Sequence, residues 1–304
     1  MFDDLLQHGG LSLDRLQSFC RVAEAGGVTK AAKGEPARQS LFSRQIKELE
    51  EFFGVELVRR SGRGVALTEA GRRLHALARE QLLGLQDFKR DCTQERAQLT
   101  LAAGDSIIQW LLLPRLPSLL AKLPNVSLRI LNLSSAEIAS GLTDGTLDIG
   151  IVRSGAVGDG VITAPLGNIR FALFVPLCLL GGKRPAEVTP LVLSRLPLAV
   201  LEGEGAFRSE LGRLAKRARI RLDPQIELSS FPLTARAVQT GACAAVLPEL
   251  ARGGFNSAEV VEFRPDWLRP MSRELVLAWN RRLARIRTVL GKAVATLRTM
   301  TWFA

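Results

Sequence analysis

Residues 38–57 read RQSLFSRQIKELEEFFGVEL, and the spacing of the apolar residues predicts one amphipathic helix from about Ala37 to Phe53. Phe42, Ile46 and Leu49 share one face, while Arg38, Gln39, Ser43, Arg44 and Lys47 lie largely away from it. Upstream, Leu16, Phe19, Cys20 and Ala23 recur at helical spacing until Gly26-Gly27 stops them. Thr29 is expected to cap a short second helix through Ala31-Ala32-Lys33, whose paired alanines permit close packing, and Gly34-Glu35-Pro36 ends it. Downstream, Gly54 to Val58 lead into the basic turn Arg59-Arg60-Ser61-Gly62-Arg63-Gly64 and the strand Val65-Ala66-Leu67. Three helices and a basic hairpin make a winged helix-turn-helix, mainly α. Its second turn helix enters a DNA major groove while the hairpin meets phosphate or minor groove.

Composition bounds the rest of the chain. Its 304 residues suffice for two or three domains, and 47% apolar with 23% charged residues is the balance of an ordinary globular protein. The N-terminus MFDDLLQHGG is acidic where a secretory signal is basic, and no apolar run approaches the roughly 18 residues of a membrane span. A cytoplasmic protein with no membrane partner is expected. Cys20, Cys92, Cys178 and Cys243 are too scattered for a zinc or redox motif, so no metal is expected and four reduced, mostly buried thiols are. The net charge of +11 suits a polyanion partner, yet residues 1–96 carry only +2 and residues 97–304 carry +9. Seven arginines and one lysine face the single Glu274 in residues 269–304. DNA binding is therefore read from local pattern and not from bulk charge.

The stretches AEAGGVTKAA (23–32), RQSLFSRQIKELEEFFGVEL (38–57) and VALTEAG (65–71) together resemble the DNA-binding domain of LysR-type transcriptional regulators. Ala31-Ala32, Gln39, Ser43, Ile46, Leu49-Glu50, Gly54, Leu57, Leu67-Thr68 and Ala70-Gly71 occupy the family's pattern positions. The chain departs from that pattern at Glu35, Ala37 and Arg38, where a leucine, a β-branched residue and a serine are usual, and at Ser40, where proline is common. These changes bear on the operator sequence more than on the fold. An isolated helix with this polar face would read equally well as a solvated surface. Within the motif, Thr29, Arg38, Gln39, Ser40, Ser43, Arg44, Lys47, Arg59, Arg60 and Arg63 are the candidate DNA-binding residues.

Thr68 can cap a fourth helix, along which Ala70, Leu74, Leu77, Leu85, Phe88 and Cys92 follow a four-three spacing broken only at Gln81. Such a stripe either packs on its own domain or pairs with its copy, and the resemblance implies dimerisation through Leu74, Leu77, Leu85 and Phe88. A two-fold dimer presents two recognition helices to successive half-sites.

After Arg96 short apolar strands alternate with helices. Strands are expected at Leu99–Ala103, Ser127–Leu131, Asp148–Val152, Phe171–Val175, Leu198–Leu201, Ile226–Leu228, Ala244–Leu247 and Glu274–Trp279. Helices are expected at Trp110–Leu123, Ile138–Leu142, from about Phe207 and Leu233, and through Ile286–Met300. The expected organisation is a winged helix-turn-helix over 1–67, a linker helix over 68–96 and an α/β effector domain over 97–304. Within the last, lobe I comprises 97–165 and 268–304 and lobe II comprises 166–267, a two-lobed arrangement like a periplasmic binding protein. The family resemblance continues here at Leu113-Pro114, Asp144-Gly145-Thr146-Leu147-Asp148, Phe174-Val175-Pro176, Gly241-Ala242 and Leu247-Pro248.

Ligands of open α/β sheets lie beyond the carboxyl ends of strands, near helix N-termini. The family's effector contacts fall there, and the matching positions are Asp105, Ser106, Ser134, Ser135, Arg153, Glu202, Glu204 and Phe231. Ser106, Ser134 and Ser135 also read as simple helix caps. Arg153 suits an anion or a pair with Asp105, while Asp105 and Glu204 argue against an anionic effector.

The resemblance implies a regulator whose partners are double-stranded operator DNA, a small-molecule effector, further copies of itself as homodimer or homotetramer, and RNA polymerase. Two readings compete with it, a cytoplasmic solute-binding module and a regulator whose cleft holds no ligand. An enzyme is not expected. Gly203-Glu204-Gly205 follows a strand as a dinucleotide fingerprint does, but Arg208 stands at the third glycine position. His8 and His75 alone supply no triad or metal cluster, His75 reads as a surface helix residue, and no cofactor is expected.

Overall fold

The computed structural model describes residue 5 and residues 9–61, 64–181, 189–203 and 205–303. Helix α1 (Leu13–Ala25) starts at Ser12, whose hydroxyl accepts from Arg15 N, and ends where Gly26 turns left-handed at φ 68°. Helix α2 (Val28–Ala31) begins immediately, capped by Gly27 and not by Thr29, which lies exposed inside the helix because the double glycine leaves no intervening turn. Helix α3 (Pro36–Phe53) opens on a proline, whose missing N–H costs nothing in a first turn. Phe42, Ile46 and Leu49 pack with Phe19, Val22, Ala32 and Leu57 as the N-terminal core.

Strands β1 (Val58–Ser61) and β2 (Gly64–Leu67) form an antiparallel hairpin. Arg59 and Arg60 belong to β1, not to the turn, and both are exposed. Glu50 ties the hairpin to α3, its Oε1 accepting from Leu57 N at 2.8 Å and Val58 N at 3.1 Å.

Helix α4 (Glu69–Thr93) is capped by Thr68, whose Oγ1 accepts from Gly71 N at 3.0 Å. A Cβ on Gly71 would stand 1.9 Å from the Leu57 carbonyl oxygen, so glycine alone lets this helix lie so close to the hairpin. The apolar stripe divides along its length. Ala70 and Leu74 pack into the N-terminal core, whereas Leu77, Leu85 and Phe88 are 52%, 50% and 70% exposed. His75 is buried, contrary to the surface position expected, because its side of α4 packs on α1 with the ring 6.5 Å from that of Phe19.

The remaining strands build one nine-stranded sheet in the order β4-β3-β5-β11-β6-β9-β7-β8, with β10 also paired to β6. They are β3 (Ala97–Ala103), β4 (Val126–Asn132), β5 (Ile149–Arg153), β6 (Val161–Pro176), β7 (Leu198–Leu201), β8 (Pro224–Leu228), β9 (Ala244–Pro248), β10 (Val260–Phe263) and β11 (Ser272–Asn280). Strand β6 joins two lobes. Its residues up to Arg170 pair with β11, and from Phe171 onward it pairs with β9 and β10.

Sequence reading found only the second half of β6 and missed β10. Pro165 and Gly167 discourage a strand reading, but the pairing with β11 shifts register between Leu275 and Val276 and absorbs them as a bulge. At Gly167, φ is 145° and the Phe303 ring occupies the space of a Cβ. One apolar core runs through both lobes, from Leu101 and Ile149 through Leu173 to Leu198 and Leu214. The long first helix of lobe I is irregular over 105–122, with a π turn at Ile108–Leu112 before the helix α5 (Leu116–Lys122). Further helices are α6 (Ser135–Thr143), α7 (Ala206–Arg217), α8 (Phe231–Gln239), α9 (Arg281–Ile286) and α10 (Thr288–Thr299), the last being the final helix expected and α9 a short helix before it that was not expected.

All four cysteines are free, but only Cys20 and Cys243 are buried, since α4 and the turn after β6 leave Cys92 and Cys178 exposed. Burial pushes the Cys20 thiol up to about 12. Among the described residues no helix is long and apolar enough to cross a membrane, and no three His, Cys, Asp or Glu side chains are placed to hold a metal.

Candidate DNA-binding surface and effector cleft

The face of α3 opposite its core is open. Arg38, Ser40, Ser43, Arg44 and Lys47 are exposed and Gln39 is half-buried. Three of the cations have carboxylate neighbours on α3 or its N-cap, Arg38 with Glu35 at 2.9 Å, Arg44 with Glu48 at 3.7 Å and Lys47 with Glu51 at 3.7 Å. Exposed pairs of this kind contribute little to stability, so the cations can exchange partners for phosphate at small cost. Arg59 and Arg60 extend the same basic character along the hairpin, while Arg63 lies outside the described residues.

The strand ends of the two lobes face each other across a cleft of about 630 Å³. Lobe I supplies Asp105, Ser106 and Ser134, and lobe II supplies Ser229, Ser230 and Phe231. Ser134 makes a full capping box on α6, its Oγ accepting from Glu137 N while its own N–H donates to Glu137 Oε2 at 2.8 Å. Ser230 caps α8 by accepting from Leu233 N. Asp105 and Ser106 open the first helix of lobe I, where Gly104 and neither of them is the cap.

Three anticipated residues are not gathered here among the described residues. Ser135 is the first residue of α6 and does not line the cleft, and Glu202 is exposed at the end of β7. Arg153, the last residue of β5, is exposed, lies off the cleft lining and makes no ion pair with Asp105 among the described residues. Arg153 ends β5, the third strand of the sheet, where its backbone pairs with Leu275 of β11, the fourth. Glu204 lies outside the described residues. Ser229 and Ser230 line the cleft although the family resemblance assigns neither to the site. Their signal was the serine pair directly after an apolar strand.

A junction joins the two regions. Arg79 of α4 pairs through Nη1 with Glu24 of α1, and its Nε donates to Gly145 O, just beyond the C-terminus of α6, at 2.7 Å. His75 Nε2 stands 3.9 Å from the same Glu24 carboxylate. The neighbouring His75, and behind it Arg79, hold that carboxyl below its ordinary range against the opposing effect of burial. Sequence reasoning missed Arg79 and Glu24, whose partners are 55 and 66 residues apart along the chain from Arg79.

A winged helix-turn-helix joined by a long helix to a two-lobed α/β domain defines a DNA-binding regulator with a ligand-sensing domain. The chain belongs to the LysR family of bacterial transcriptional regulators. The family model "Bacterial regulatory helix-turn-helix protein, lysR family" matches residues 13–72, and "LysR substrate binding domain" matches residues 93–294. A probable nitrogen assimilation transcriptional activator of Synechococcus elongatus is 28% identical over 250 residues, covering 79% of this chain and 80% of that protein. A probable hydrogen peroxide-inducible genes activator of Mycobacterium leprae is 26% identical over 242 residues, covering 78% and 77%. The fold is that of a full-length OxyR variant from Pseudomonas aeruginosa, with a TM-score of 0.69 at 22% identity and 97% of each chain covered. The two family models cover both regions in which the sequence shows the resemblance.

Proposed function

We propose that the protein reads an operator through Gln39, Ser43 and Arg44 at base edges, with Thr29, Arg38, Ser40, Lys47, Arg59, Arg60 and Arg63 serving phosphate and orientation. It acts in the cytoplasm as a homodimer or homotetramer, changes its DNA engagement when a small molecule enters the interlobe cleft, and works on transcription through RNA polymerase without catalysing a reaction. The observation that carries this reading is the two-sided α3. Phe42, Ile46 and Leu49 are buried while Arg38, Ser43, Arg44 and Lys47 are exposed beside a basic hairpin. Glutamine bonds adenine and arginine guanine bidentately in the major groove, which suits Gln39 and Arg44.

The cleft supports the sensing half of the reading, since polar side chains converge from both lobes on a space of ligand size. Helix α6 is capped by Ser134 in the cleft and ends beside the Arg79 junction, which supports a mechanical link from ligand to DNA-binding domain. The test is to recover chromosomal DNA bound by the protein, derive the shared sequence and measure affinity for it across a salt titration. A steep loss of affinity with salt and a preference for that sequence over scrambled duplex are expected. Equal affinity for every duplex would overturn operator recognition and leave a solute-binding module.

A further inference from the structure

We propose that the effector carries a protonated amine, seated on Asp105, with an apolar arm against Phe231; the assignment rests on the reading of the interlobe cleft as the effector site. Asp105 is the single ionisable residue among those lining the cleft, and no lysine, arginine or histidine joins it among the described residues. It is half-buried and makes no ion pair among the described residues. Neither Arg208 nor Arg153 forms an ion pair with it among the described residues. Arg208 pairs with Glu227 at 2.6 Å, and Arg153 lies off the lining.

Helix N-termini at a cleft ordinarily favour anions, but these three are already answered. Asp105 itself stands in the first turn of the lobe I helix, and the Glu137 carboxylate closes the start of α6. At α8, Pro232 has no N–H and the Leu233 N–H is taken by Ser230 Oγ. An anionic group entering here would meet a carboxylate with no cationic side chain beside it in the lining, whereas an ammonium would gain a charge-assisted bond to Asp105 with the hydroxyls of Ser106, Ser134 and Ser230 as further acceptors. Phe231 is half-buried in a cluster with Phe207 at 4.8 Å and Phe171 at 6.0 Å between ring centroids, leaving a firm aromatic wall for an apolar arm or for the cation itself.

Four probes, the amines phenethylamine and isopentylamine and the acids hydrocinnamate and isocaproate, test this by calorimetry and thermal shift at neutral pH on the full chain and on Asp105→Asn. The amines are expected to bind and raise the melting temperature, and Asp105→Asn should weaken them at least about tenfold, the scale of a lost charge-assisted bond. Asn keeps the size and the helix-start preference of Asp, so the variant should fold as the parent does. Amine binding unchanged in Asp105→Asn overturns the assignment. Binding of the acids alone, abolished by Phe231→Ala, overturns it too while leaving the cleft as the effector site. If no probe binds, the amine assignment and the effector reading of the cleft both fall.

Discussion

Arg287 pairs with Asp148 in the interior, the guanidinium Nη1 donating to Oδ1, with both side chains almost wholly buried. The same guanidinium holds Asp87 of α4 through Nε at 2.6 Å and donates from Nη2 to Gln98 O of β3 at 2.8 Å. Burial opposes the charge on Arg287, but the carboxylates of Asp87 and Asp148 outweigh it and hold its pKa above the ordinary value. One side chain therefore fastens the linker helix, the sheet of lobe I and the last helices together.

Replacing one partner of such a pair leaves the others charged and unmatched in the interior. Arg287→Ala should lower unfolding stability by about 3 to 5 kcal/mol in urea denaturation, and Asp87→Asn, at the edge of the cluster, by less. A loss under about 1 kcal/mol for Arg287→Ala would show that water reaches the carboxylates and that the pair is not structural.

On α3, Gln39→Ala should narrow the gap between operator and scrambled duplex by about 1 to 3 kcal/mol, the value of a bidentate base contact. Arg60→Ala, on the exposed face of β1, should weaken both duplexes alike and flatten the salt dependence by about one phosphate contact. If Gln39→Ala keeps full discrimination in competition binding, base reading belongs to other residues.

The exposed stretch of α4 offers Leu77, Leu85 and Phe88 to a second copy. Phe88→Asp or Leu77→Asp would bury an unpaired charge at that seam, costing several kcal/mol, so sedimentation should report a species of half the mass or less. Leu74→Asp should instead unfold the N-terminal domain, because Leu74 packs in that core. A Leu77→Asp protein of unchanged mass would place the subunit contact elsewhere.

At the junction, Glu24 has a carboxyl held below its ordinary value of 4.5, so the stabilisation it brings is present above that pH and is lost as pH falls through the lowered folded value. Melting temperatures of wild type and Glu24→Gln should differ at neutral pH and converge as the pH falls through the lowered folded value. Arg79→Ala should leave ligand affinity in the cleft near normal while reducing the response of DNA affinity to ligand, since it removes the contacts to Glu24 and Gly145. A gap between wild type and Glu24→Gln that persists into acid, or a full DNA response in Arg79→Ala, would remove the junction from the signalling route.

What could be read without coordinates was local in origin. Phe42, Ile46 and Leu49 announce α3 by their spacing, Gly26 ends α1 because it accepts a left-handed φ, and Thr68 caps α4 through an N–H three residues away. Alternating strands and helices likewise announced an α/β domain, since each strand is a short apolar run with its own turn signals. The division of the α4 stripe was not legible, because Leu74 and Leu77 are equally apolar and only the packing of α1 against one of them separates their fates. Strand β6 hid behind Pro165 and Gly167 until the bulge opposite β11 and the Phe303 ring gave those residues a place. Arg287 reaches partners 139 and 200 residues back in the chain, and the cleft unites serines from strands of two lobes. Side-chain periodicity and capping act within a few residues, so they write themselves into the sequence; burial, ion pairing and the shape of a cleft depend on which distant surfaces meet, and folding alone decides that.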